Sequence, residues 1–97
     1  MRKVRVRRWD PSRYLRDEEE MVAYLQAALD DGSPGLVAAV LGDIARAKGM
    51  SAVARRAGLG RESLYKSLSP EGNPELATVL RVIRALGLRL RAVPVAR

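Results

Sequence analysis

The stretch from Ser51 to Leu68 limits what this chain can fold into more than any other. It reads Ser-Ala-Val-Ala-Arg-Arg-Ala-Gly-Leu-Gly-Arg-Glu-Ser-Leu-Tyr-Lys-Ser-Leu. Two helices this short can cross steeply only under three conditions: a small residue where they approach, a residue tolerant of positive φ at the turn, and apolar anchors on both sides. Ala54 meets the first condition and Gly58 the second, while Val53, Ala57, Leu59, Leu64 and Leu68 meet the third. The pattern predicts a helix-turn-helix. Its first helix spans Ala52–Ala57 behind a Ser51 cap, and its second runs from about Arg61 to Leu68.

If Leu64 and Leu68 point inward, then Arg61, Glu62, Ser63, Tyr65 and Lys66 cover the outer face and the start of the second helix. That mixture suits the major groove of double-stranded DNA, where the first residues of such a helix meet base edges and flanking groups meet phosphates. Arg61 is the candidate guanine reader, because its fork can bond O6 and N7 together. Glu62 and Ser63 are placed to reach bases, and Tyr65 and Lys66 to reach phosphate or sugar. Arg55 and Arg56 on the preceding helix are candidate backbone contacts. The plainer alternative for all seven is an ordinary solvated helix face.

The rest of the chain frames this segment. Val4 and Val6 alternate with Lys3, Arg5 and Arg7, which is strand periodicity, and Trp9-Asp10-Pro11-Ser12 breaks it with turn chemistry. Asp17 then caps a helix with Glu18, Glu19 and Glu20 in its first turn, an apolar stripe of Met21, Tyr24, Leu25, Ala28 and Leu29, and Gly32 at its end. Ser33-Pro34 starts a second helix that buries Val37, Val40, Leu41 and Ile44 and stops at Gly49. After the Ser69–Gly72 loop, Asn73-Pro74 repeats the cap-plus-proline signal and opens a helix with Leu76, Val79, Leu80 and Ile83 inward, ending at Gly87. Leu88–Val93 alternates again, with Arg89 and Arg91 on one face. The reading is mainly α, five helices flanked by two short basic strands, in a single domain over 1–97. Residues 1–16 form a basic arm, 17–31 an acidic helix, 33–87 the helix-turn-helix core, and 88–97 a C-terminal strand and tail.

Charge supports a polyanionic partner. The chain has a net charge of +7, and it is unevenly spread: seven cations and one anion over residues 1–16, then six anions and no cation over 17–31. Neutralising phosphates with Lys and Arg releases counterions, so a basic body next to an acidic helix fits DNA on one face. A solvated charged surface is the bland alternative. The chain has no cysteine and no histidine, which removes disulfides, Cys/His zinc sites and imidazole-based triads. No cofactor and no enzymatic activity is expected, and Asp43 reads as the polar position of an amphipathic helix. The absence of an apolar run long enough for a membrane span, or of a signal-peptide core, leads to the expectation of a soluble, cytoplasmic protein.

A wider set of residues then resembles a known family. The order Arg8-Trp9-Asp10, Tyr14-Leu15, Tyr24-Leu25, Gly42-Asp43-Ile44-Ala45-Arg46-Ala47, Gly58-Leu59-Gly60-Arg61, Leu64-Tyr65-Lys66, Leu68-Ser69-Pro70, Gly72-Asn73-Pro74 and Leu86-Gly87-Leu88 is similar to that of addiction-module antidotes. These are small antitoxins with a lambda-repressor-like DNA-binding domain. The resemblance implies a cognate toxin of the small, basic ribonuclease-like type and repression of a shared promoter. Two positions depart from the general helix-turn-helix pattern: Gly60 replaces a serine or threonine cap, and Ser67 replaces an apolar residue.

Trp9 is expected to cover the core where the arm meets the helices, and the acidic helix to face solvent or a basic toxin. The two strands are expected to pair with each other or across a dimer, because lone short strands are unstable. A homodimer also suits palindromic operators, whose half-sites lie roughly 34–36 Å apart. The leading expectation is therefore an autorepressing antitoxin. Its alternatives are a free-standing phage-type repressor without a toxin, and a protein-only inhibitor or adaptor that no longer binds DNA.

Overall fold

A computed structural model describes residues 17–96. These residues form five helices and no strand: α1 (Glu18–Asp31), α2 (Pro34–Lys48), α3 (Met50–Ala57), α4 (Arg61–Ser67) and α5 (Leu76–Ala85). The expected strand over 2–7 and the placement of Trp9 lie outside the described residues.

Local chemistry accounts for most helix ends. The Asp17 carboxylate accepts the Glu20 N–H at 2.8 Å, and three glutamates fill the first turn of α1, where the helix dipole favours them. Pro34 opens α2 as expected, but Ser33 makes no side-chain cap; its own N–H donates to the Asp31 carboxylate at 3.2 Å instead. Two starts differ from the sequence reading. Helix α3 begins at Met50, ahead of the expected Ser51 cap, and Gly49 alone joins it to α2. Met50 is buried in the core, so the first turn is anchored by packing and Ser51 sits exposed inside the helix. Helix α5 begins at Leu76 behind Glu75, with Asn73-Pro74 left in the loop. Glu75 is still extended, with φ −66° and ψ 155°, so helical backbone begins only after it.

The core gathers one face from each helix. Leu41, Ile44, Val53, Leu64, Val82 and Leu86 are its most buried large side chains, with Met21, Leu25 and Ala28 of α1 joining from one side. Helix α1 packs on α2, and α3 packs against α2, α4 and α5. The expected inward face of α5 needs correction. Leu76 is 69% exposed and Leu80 45%, whereas Val82, Ile83, Ala85 and Leu86 are buried and Val79 partly so. The buried residues follow the spacing Val79, Val82, Ile83, Leu86. Leu80 lies about 100° of helical rotation beyond Val79, and Leu76 lies in the first turn, outside the packed part.

One polar link ties α1 to α2. The Tyr24 hydroxyl donates to the Asp43 carboxylate at 2.6 Å, and Arg46 forms an ion pair with the other oxygen of the same group. Asp43 is thus the node of a part-buried network rather than merely a polar position. The close approach of α2 to the end of α4 depends on Gly42, because a methyl there would run into the Leu68 carbonyl oxygen. The expected strand over Leu88–Val93 is not found: those residues are described without secondary structure. A ladder needs a second strand, and the segment expected to supply it lies outside the described residues.

Candidate nucleic-acid interface

The turn between α3 and α4 is built from backbone chemistry. Gly58 takes φ 72° and ψ 33°, the left-handed region that closes a helix without a Cβ clash. Its N–H donates to the Arg55 carbonyl at 3.2 Å, and the Leu59 N–H donates to the Ala54 carbonyl at 2.9 Å. This double bond pattern satisfies the last carbonyls of α3 and turns Leu59 back against the core. Gly60 then leads into α4 with extended backbone and no side-chain cap. The turn needs only three residues, Gly58-Leu59-Gly60, and Ala54 is buried behind it.

Helix α4 is held by its underside. Leu64 and Leu68 are 1% and 3% exposed, and the Leu64 N–H donates to the Gly60 carbonyl at 2.9 Å. Arg61, Glu62, Ser63, Tyr65 and Lys66 are all exposed. The five residues expected on the outer face therefore lie on it together. They present a guanidinium fork, a carboxylate, two hydroxyls and an ammonium, a set that can both donate and accept hydrogen bonds. Ser67, flagged as a departure, is half-buried, and Leu68 takes the apolar anchoring role one residue later. The Ser69 hydroxyl donates to the Lys66 carbonyl at 3.0 Å and so closes the C-terminal end of the helix.

Two features of this face are not readable from residue type alone. The Arg61 guanidinium stacks over the Tyr65 ring, 5.5 Å from its centroid. Arg61 and Tyr65 are four apart, so they share one helical face, and the contact holds the fork in a limited set of rotamers. The second feature concerns Arg56. It lines an open cleft of about 520 Å³ with Lys48, Arg81, Arg84 and Glu18, and no residue of α4 lines that cleft. Arg55 and Arg56 are both exposed, but Arg56 groups with cations of α2 and α5 rather than with the face of α4. Lys48, Arg81 and Arg84 were not singled out from the sequence. Their only signal there is cationic residues in or near the last turns of two helices 36 positions apart.

Residues 5–94 match the sequence model of a family described as probable addiction module antidote protein. An uncharacterized protein of Haemophilus influenzae is 47% identical over 83 residues, which is 86% of this chain and 86% of the relative. No solved structure matches the chain.

Proposed function

The chain belongs to the family of probable addiction module antidote proteins, and from that premise we propose that it is a DNA-binding antitoxin that represses its own operon. Membership of an antidote family implies a cognate toxin as partner. The proposal adds that α3, the Gly58–Gly60 turn and α4 act as a helix-turn-helix of the lambda-repressor-like kind on double-stranded operator DNA.

The observation that carries it is the division of α4 into a buried leucine underside and an exposed polar face made by Arg61, Glu62, Ser63, Tyr65 and Lys66. In this reading Arg61 reads a guanine from its stacked position over Tyr65, with Glu62 and Ser63 near the bases. Tyr65 and Lys66 contact sugar and phosphate, and Arg55 adds a backbone contact, while Arg56 stays with the cations of α2 and α5. A homodimer would place two such faces on a two-fold operator. The toxin would be small and basic, and the acidic α1 suits a basic partner. No enzymatic activity and no cofactor is proposed. Among the described residues, no helix is long and apolar enough to cross a membrane.

The test is a gel shift on the protein's own upstream DNA at two salt concentrations. Binding should weaken steeply as salt rises, because phosphate contacts release counterions. An absent or salt-insensitive shift would leave the protein-only inhibitor as the better reading. Co-expression with the adjacent gene, followed by growth, tests the antitoxin half separately.

A further inference from the structure

The cleft around Arg56 lies where three helices end. Lys48 belongs to the last turn of α2, Arg56 to that of α3 and Arg84 to that of α5. Arg81 stands one turn before Arg84 on the same face of α5. All four are exposed, and all four line the one hollow. Among the described residues, Glu18 is the one carboxylate on its wall, so four cations against one anion leave a net charge of +3. The small residues Ala57, Ala85 and Gly87 also line it and leave about 520 Å³ open between the helices.

Part of this grouping follows from the helix dipole, which favours cations at C-terminal ends. Two observations go further. The dipole fades within the last turn, and Arg81 lies before that turn, where it meets only the like charge of Arg84 along its own helix. The helix ends are also closed by backbone donors. The Gly49 N–H donates to the Arg46 carbonyl, that of Gly58 to Arg55 and that of Gly87 to Arg84. Among the described residues, no side-chain hydrogen bond or ion pair engages Lys48, Arg56, Arg81 or Arg84. Four cations thus share one hollow with their donors unused.

We infer that this cleft is a phosphate site, separate from the face of α4. A carboxylate is planar and is matched by one guanidinium fork. A phosphate offers three terminal oxygens in a tetrahedral array and takes donors arriving from several directions. Here three forks and an ammonium arrive from three helices, which is the phosphate case. The net charge of +3 and an open space within the range of small-ligand sites, about 300–1,000 Å³, favour two linked phosphates over one. A free diphosphate and two neighbouring phosphates of a nucleic-acid strand present the same chemistry. The inference depends neither on the reading of α4 nor on the toxin, since no residue of α4 lines the cleft.

Amide NMR on the full chain tests it, with inorganic pyrophosphate as the probe and sodium chloride adjusted to hold ionic strength constant. Saturable shifts are expected at Lys48, Arg56, Arg84 and Gly87. An Arg81→Gln, Arg84→Gln double variant should bind pyrophosphate at least about tenfold more weakly, because charge-assisted contacts are lost. Lys48→Gln, on another helix, should weaken binding in the same direction, whereas an Arg61→Gln, Lys66→Gln variant should bind as the native chain does. Shifts that do not saturate, or that spread equally to α4 and to Arg89 and Arg91, would overturn the inference, because they describe an ordinary counterion surface. So would undiminished binding by the double variant, whose melting curve in chloride checks that it is folded. A short duplex of unrelated sequence separates the two sources. If the phosphates belong to nucleic acid, the duplex shifts the same cleft amides and displaces pyrophosphate. If they are free, pyrophosphate binds equally well with the duplex present. Either result upholds the phosphate site and assigns its source.

Discussion

Helix α1 carries stabilising chemistry along its own length, whereas α4 depends almost wholly on what lies beneath it. The first has 14 residues, a carboxylate cap, three first-turn glutamates and a glycine stop. The second has seven residues, no side-chain cap at its start, and is anchored in the core by Leu64 and by its C-cap, Leu68. Isolated helices shorter than about 12–15 residues are marginal in water, so α4 exists because the core holds it. The difference teaches how the polar face of α4 can be left free of structural duty. Its outward residues can be chosen for what they contact, since stability is supplied from the other side.

Five substitutions would break or sharpen that contrast. Leu64→Ala should be the most damaging, lowering stability by about 2–5 kcal/mol in denaturant unfolding, because it removes the anchor of α4 and leaves a cavity. A loss below 1 kcal/mol would mean that α4 is not held from beneath. Gly42→Ala should cost about 1–3 kcal/mol, since the added methyl meets backbone at Leu68 and α2 cannot retreat without repacking. The circular-dichroism melting curve reports it.

On the outer face the expectation reverses. Arg61→Ala should leave folding stability within about 0.5 kcal/mol of the native protein. It should nevertheless lose about 1–3 kcal/mol of operator discrimination, measured as the ratio of specific to non-specific binding. Lys66→Ala should weaken all sequences alike and flatten the salt dependence. If both variants bind as the native chain does, the face of α4 does not touch DNA. Asp17→Ala should cost only about 1 kcal/mol, with faster amide exchange confined to the first turn of α1. Loss of the whole fold would show that α1 is less self-sufficient than its caps imply.

Much of this contrast was legible in the sequence, and the exceptions share a cause. Asp17, Gly32, Pro34 and Gly58 act through neighbours within a few positions, so their roles follow from order alone. The underside of α4 was equally readable, because Leu64 and Leu68 sit one helical turn apart. Where tertiary packing decides, the sequence misleads: Met50 starts α3 because the core takes its side chain, and Leu76 and Leu80 look inward only until the angle of α5 is known. The Tyr24–Asp43 bond spans 19 positions, and the cleft around Arg56 draws on cations of three helices. No local pattern encodes either. The Arg61–Tyr65 stack lies between these cases, since the spacing permits it but does not demand it.

The single-residue joint at Gly49 has a consequence for how such a chain can change over time. With no slack between α2 and α3 and non-helical backbone at Gly49, one inserted residue would have to be taken up by shifting α3 bodily against the core. The buried leucines of α4 would then be driven out of register with the core they fill. Relatives should therefore keep the α2–α3 joint at one residue, so that the outward face of α4 drifts in chemistry while its bearing on the rest of the molecule stays fixed.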